Sequence, residues 1–164
     1  MFDLYGKKIA ARGLADIPKA VDPIFERARG RNASDLLTVA AETAIGTTIG
    51  LFKVKSSARP IKYPSVIYNQ AFGADVTLDI GFAPDPYLDY AGDEDALADN
   101  LAIGSAGNKA FYDAVTTANL TKRFWELAGL SEDPNTDLWI MATIKGAETV
   151  NEAVLAFEAW FAAD

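Results

Sequence analysis

Histidine and cysteine are both missing from this 164-residue chain, so the residues that could do chemistry are carboxylates, lysines, tyrosines and hydroxyls. Without cysteine there is no disulfide, thiolate nucleophile or thiolate-bound metal. Without histidine there is no Ser-His-Asp or Cys-His arrangement, no His-ligated metal and no imidazole base near neutral pH. A pair of carboxylates such as Asp79 with Glu158 is the acid and base device that remains, of the kind that hydrolyses glycosides. Nothing in the spacing selects that pair from 23 acidic residues. The composition therefore favours a protein that is not an enzyme.

Three local patterns come closer to a site. The stretch PDPYLDYAGDEDALADN, residues 84–100, carries Asp85, Asp89, Asp93, Glu94, Asp95 and Asp99 and no base. Calcium takes several oxygen ligands from flexible loops, and Asp93, Asp95 and Asp99 have the nearest spacing. The glycine and the terminal glutamate of an EF-hand loop are absent, so no metal is assigned. In IGSAGNKAF, residues 103–111, Asn108 separates Gly107 from Lys109 and breaks the order of a phosphate loop, leaving a turn. Trp125 with Tyr87 and Tyr90 could line a sugar-binding platform. Trp139 and Trp160 sit inside apolar strands and read as core or interface. No motif calls for a cofactor.

The elements that must position these residues are mostly strands. In ADVTLDIGF, residues 74–82, Val76, Leu78, Ile80 and Phe82 alternate with Asp75, Thr77, Asp79 and Gly81, the pattern of a strand with one buried face and one smooth, acidic, solvent-facing one. Further runs are LLTVAA ending near Glu42, IGTTIGLFKV from Ile45 to Val54 with Gly46 and Gly50 as bulge points, and IKYPSVIYN, whose Pro64 favours an edge or a bulge. SSARP makes the turn between the last two. TDLWIMATIKG and AVLAFEAWFAA follow near the end, apolar on both faces and so expected to be covered on both. From Ala83 to Asp133 the strands are interrupted by an acidic loop, with a helical turn over Glu94–Asn100, and by a short helix in TTANLTKRFWELAGL, capped by Thr117 or Asn119 and stopped by Gly129.

Six or seven short strands with one helical insertion predict a mainly β fold, an antiparallel β-sandwich or barrel-like domain. The strand-to-helix rhythm of a doubly wound fold is missing. Half the residues are hydrophobic, enough for one packed core and too short a chain for two comfortable ones.

Residues 1–32 have a different texture. Gly6, Gly13, Gly30, Pro18 and Pro23 interrupt them, although a short helix fits around Asp22 to Arg29. Seven Lys/Arg stand against four acids here, whereas eight stand against nineteen in residues 33–164. The division is thus an extended basic N-terminal arm, 1–32, and a β domain, 33–164, holding the acidic loop and short helix at 83–133. An arm that is broken yet apolar suits a groove on its own body or on a neighbour, and its partner-binding residues are Phe2, Leu4, Tyr5, Ile9, Arg12, Leu14, Ile17, Phe25, Arg27 and Arg29. The acidic body repels nucleic acid and anionic membrane. No apolar run is long enough to span a bilayer, and the N-terminus lacks the apolar stretch of a signal peptide, so the expectation is an intracellular soluble protein.

The order of the pieces resembles a family. A basic arm, DLLTVAAETAIGTTIGLFKVKSSARPI, SVIYNQAFGADVTLDIGF, the acidic excursion with DEDALADNLAIGSAGNKAF and the closing TDLWIMATIKGAETVNEAVLAFEAWFAA are similar in layout to small structural proteins of tailed-bacteriophage heads, of the capsid decoration or cement type. The similarity covers roughly Asp35 to Ala163 and rests on layout phrases, with no catalytic motif among them. It implies a non-enzymatic virion protein on the capsid surface, made in the host cytoplasm, that binds the major capsid protein and itself as a homo-oligomer, in the manner of a homotrimer. A minor capsid or head-completion role, or a carbohydrate-binding module, would fit the same sequence.

Overall fold

The computed structural model describes Leu4–Tyr5, as backbone, and residues 30–162. The strands are β1 (Leu4–Tyr5), β2 (Gly30–Val39), β3 (Thr48–Lys55), β4 (Arg59–Asn69), β5 (Thr77–Phe82), β6 (Asp93–Ala102), β7 (Gly107–Ala110), β8 (Asp137–Lys145) and β9 (Ala153–Ala162). They form two sheets. The first runs β3-β8-β5-β6, antiparallel throughout, with the two-residue β1 added in parallel on the β3 edge. The second runs β2-β9-β4-β7 and is also antiparallel.

Aromatic side chains join the inner faces. Phe52 of β3 lies 5.7 Å from Phe157 and 6.1 Å from Phe161 of β9, ring centre to ring centre. Phe111, just after β7, is 5.7 Å from Phe157. Both sheets feed one apolar cluster with Val39, Leu51, Ile67, Leu78, Ile80 and Leu155, as in a β-sandwich whose two inner faces interdigitate.

The sequence signals for bulges hold at two places. The β3–β8 register slips between Gly50 and Phe52. Between Ile61 and Val66 β4 bulges away from β9, so Pro64, which has no N–H to give, sits where the ladder is already broken. Ser65 repairs the gap: its hydroxyl accepts from the Trp160 N–H at 2.8 Å and donates to the Ile61 carbonyl at 2.6 Å.

Four expectations are corrected. The acidic stretch expected to be a loop with a helical turn over Glu94–Asn100 is for the most part strand β6, and Gly107–Ala110 is strand β7, so the interruption at 83–133 supplies one edge strand to each sheet. The β6 ladder opposite β5 slips twice, with Ile80 facing Ala98 and Phe82 facing Asp93. Those bulges put its buried Leu97, Ala98 and Leu101 at helix-like spacing, which hid the strand. β9 alternates strictly, with Ala153, Leu155, Phe157 and Ala159 buried and the other face only half covered; of these two strands only β8 is buried on both faces along its middle. The helix α1 spans Phe124–Leu127 and starts later than Thr117 or Asn119, because the buried Phe124 donates its N–H to Ala58 O and Trp125 donates to Ser56 O, so strand-turn carbonyls serve its first turn. Gly129 does end it, at φ +72°, with Leu130 N–H returning to Trp125 O.

The strand ladder begins at Gly30, opposite Ala162, so Gly30, Arg31 and Asn32 are strand residues. Of the arm's partner-binding residues, Phe2, Ile9, Arg12, Leu14, Ile17, Phe25, Arg27 and Arg29 lie outside the described residues. Leu4 and Tyr5 pair by backbone with Ile49 and Gly50 of the chain's own β3.

Candidate functional site

The outer faces of the two sheets differ in character. On the outside of the second sheet the register aligns three rows. Leu36, Ala156, Tyr68 and Asn108 form the first; Ser34, Glu158, Val66 and Ala110 the second; Asn32, Trp160 and Ile61 the third. Leu36 is 41% and Tyr68 49% exposed, while Ala156, Val66, Ala110, Trp160 and Ile61 are half-buried. Glu158 is the one charged residue in these rows, and its Oε1 is engaged by Trp160 Nε1 at 3.0 Å and Asn32 Nδ2 at 3.4 Å. A carboxylate held down among aliphatic and aromatic neighbours leaves a largely apolar patch. Its edge strand is blunted: the Asp35 carboxylate accepts the Leu36 N–H at 2.8 Å, occupying a donor that an added strand would use.

The outside of the first sheet is acidic and partly roofed. Asp79 and Gly81 face outward from β5, yet Asp79 is only 5% exposed, because the bulged start of β6 folds over them. A Cβ at residue 81 would lie 2.0 Å from the Asp93 carbonyl oxygen. The smooth face is thus a seat for β6, and the expectation of a solvent-facing surface is corrected.

At this seat Lys145 Nζ lies 2.5 Å from Glu94 Oε1 and 3.8 Å from Asp79 Oδ2, and Asn100 N–H donates to Asp79 Oδ1 at 2.8 Å. Burial raises the Asp79 pKa above the usual carboxylate value, against the Asn100 hydrogen bond and the Lys145 charge that favour ionisation. Asp93 is raised too, by burial and then by the Asp95 carboxyl beside it. Lys145 is raised chiefly by its hydrogen bond to Glu94.

Beside this seat a groove of about 880 Å³ opens between β3, β8 and the 84–92 connection. Trp139, Met141, Tyr87, Pro84 and Pro86 give it apolar surface, and Asp85, Asp93, Glu94, Asp137 and Lys53 line it as well; Glu94 is paired with Lys145, and Asp137 with Lys55 at 2.8 Å. Lys53 Nζ sits 5.0 Å over the Trp139 ring, a cation–π contact. The 84–92 connection is shaped by Asp85, which bridges to Tyr90 and accepts the Tyr87 N–H at 2.9 Å. Tyr87 is left 97% exposed at the rim.

The residues singled out for chemistry do not assemble. Asp79 and Glu158 lie on opposite outer faces with the core between them. Asp93, Asp95 and Asp99 all fall along β6, and no group of three metal-ligating side chains converges among the described residues. Tyr87 lines the groove, whereas Tyr90 packs on the core and Trp125 is not among the lining residues. Trp139 was missed as a groove residue because its apolar strand context resembles core; Trp160, expected in core or interface, is half-buried on the outer face.

No protein-family model and no curated protein matches the chain. Two solved structures share its fold. One is a chain of the cyanophage Pam1 capsid asymmetric unit, with 7% identity, a TM-score of 0.56, and a match covering 90% of this chain and 100% of that one. The other is a chain of the capsid of Ralstonia phage GP4, with 15% identity, a TM-score of 0.57 and 94% of each chain covered. The resemblance to phage head proteins seen in the sequence layout thus returns, over most of the chain, as a shared fold with chains of two phage capsids.

Proposed function

We propose that this protein is a structural component of a phage head, of the decoration or cement type, that binds the outer lattice of the major capsid protein and stabilises the shell. The observation that carries this reading is the shared fold with chains of two phage capsids, each matched over at least nine-tenths of this chain. The apolar outer face of the second sheet supports it. A patch of Leu36, Tyr68, Trp160 and Ile61 has the aromatic and aliphatic composition of an interface centre, and Asp35 keeps a strand from adding to the neighbouring edge. In this reading a homotrimer buries that face against copies of itself and the capsid protein.

The later part of the arm, with Leu14, Ile17, Phe25, Arg27 and Arg29, supplies further contacts to a neighbouring subunit.

Sedimentation velocity of the protein with expanded, undecorated phage shells tests the proposal. Stoichiometric co-sedimentation is the expected result, and a chain that stays in the slow boundary while the shells sediment alone overturns it.

A further inference from the structure

We propose that the corner of the second sheet around Arg59 receives the turn at residues 86–89 of a second copy of this chain. The corner comes first. Arg59 pairs across β9 with Ala162, two residues along from the Ile61 and Trp160 pair, so its side chain leaves on the same outer face. Its Nε is buried without a hydrogen-bond partner, and among the described residues no carboxylate pairs with its guanidinium. Arg31, at the same end of β2, is unpaired in the same way. Lys62 Nζ donates to the carbonyls of Asp113 and Val115 rather than to an acid. Three cations that no described carboxylate neutralises therefore gather at one corner of a chain with a net charge of −8. Beside them lie Ile61, Trp160 and Tyr63, the last 83% exposed. Arginine with tryptophan and tyrosine is the composition of an energetic interface centre.

The 84–92 connection supplies the matching piece. Asp85 N–H donates to Tyr90 O at 2.9 Å and Tyr90 N–H returns to Asp85 O at 3.0 Å, which closes the turn and fixes its shape before any contact is made. At its tip Tyr87 is 97% exposed, with Pro86 and Asp89 exposed beside it. The connection carries two acids, Asp85 and Asp89, and no base. Docked on the corner, the Tyr87 ring covers Trp160 and Ile61, and the Asp89 carboxylate meets the Arg59 guanidinium in a charge-assisted pair. Within one chain the turn lies outside the first sheet and Arg59 outside the second, so the two meet only between copies. Each copy offers its turn to one neighbour and its corner to the next, a heterologous contact of the kind that closes into rings. The inference rests on the homo-oligomer in the reading above and names its contact.

Sedimentation velocity of the full chain alone, without shells, tests it. The wild-type protein is expected to sediment as a closed oligomer. Arg59→Glu and Asp89→Lys are each expected to weaken self-association at least about tenfold, and the two together in one chain to restore it. Tyr87→Ala is expected to weaken it as well, with the urea midpoint unchanged. A wild-type chain that stays monomeric, single variants that assemble normally, or a double variant that is not rescued overturns the proposal. So does a lowered urea midpoint in Arg59→Glu with assembly intact, which would give that charge a partner inside the chain, such as Asp164. An oligomer that behaves as expected and yet ignores phage shells keeps this contact and removes the decoration role, so the two failures are told apart.

Discussion

At the scale of single residues, the outward face of β5 is governed by two side-chain properties, the absence of a Cβ at 81 and the burial of the carboxylate at 79. Gly81→Ala would push a methyl into the Asp93 carbonyl, and moving that backbone is expected to cost about 1–3 kcal/mol in a urea titration. Gly107→Ala, where nothing lies within 4 Å, is expected to stay within about 0.5 kcal/mol of wild type. For Asp79 the folded-state pKa lies above its ordinary value of 3.8. The folded state therefore holds the proton more tightly, so this group favours folding most below pH 3.8 and loses that contribution as the pH rises through its native pKa. Asp79→Asn keeps an acceptor for the Asn100 N–H and cannot ionise. Its stability relative to wild type is expected to rise between pH 4 and 7; a flat difference across that range would mean the carboxylate is not desolvated.

At the scale of elements, β4 and β9 show how a broken ladder is closed. Ser65→Ala removes the acceptor of the Trp160 N–H and the donor to the Ile61 carbonyl, and is expected to cost about 1–3 kcal/mol. On β9, Phe157 faces in and Trp160 faces out. Phe157→Ala is expected to cost about 3–5 kcal/mol and Trp160→Ala only about 1–2 kcal/mol in the free protein, the larger effect of Trp160 falling on assembly. Denaturant midpoints for the two variants separate an inner from an outer face. Strands with an unbroken period of two, such as β5 and β9, were legible in the sequence because alternation survives when the ladder is regular. β6 was not, because its two bulges each shift the parity of its side chains and leave an apolar spacing that mimics a helix.

At the scale of the whole molecule, the two outer faces differ: one is largely apolar, the other acidic and grooved. Replacing Leu36 and Tyr68 together by aspartate is expected to leave the urea midpoint nearly unchanged, since both are exposed, and to weaken co-sedimentation with shells by at least about tenfold. Deleting residues 1–29 stops short of the first β2 pair, Gly30 with Ala162. It is expected to leave a cooperatively unfolding β domain that binds shells poorly. Binding at full strength by the truncated chain would remove the arm from the interface.

The sequence by itself determined the mainly β class, the chemistry denied by a chain without histidine or cysteine, the contrast in charge between residues 1–32 and the rest, and the two bulges marked by Gly50 and Pro64. These are properties of residue type and local period, which need no knowledge of neighbours. Only the tertiary structure decided which strand faces are covered. Asp79 and Glu158, equivalent as letters, end on opposite sides of the core, one roofed by β6 and the other pinned by Trp160. Trp139 and Trp160, both in apolar strands, end beside a groove and on an outer sheet face. Burial is a relation between segments distant in the chain, and pairings such as Gly30 with Ala162 and Gly50 with Met141 are set by the packing of two sheets around one core, which no local pattern encodes.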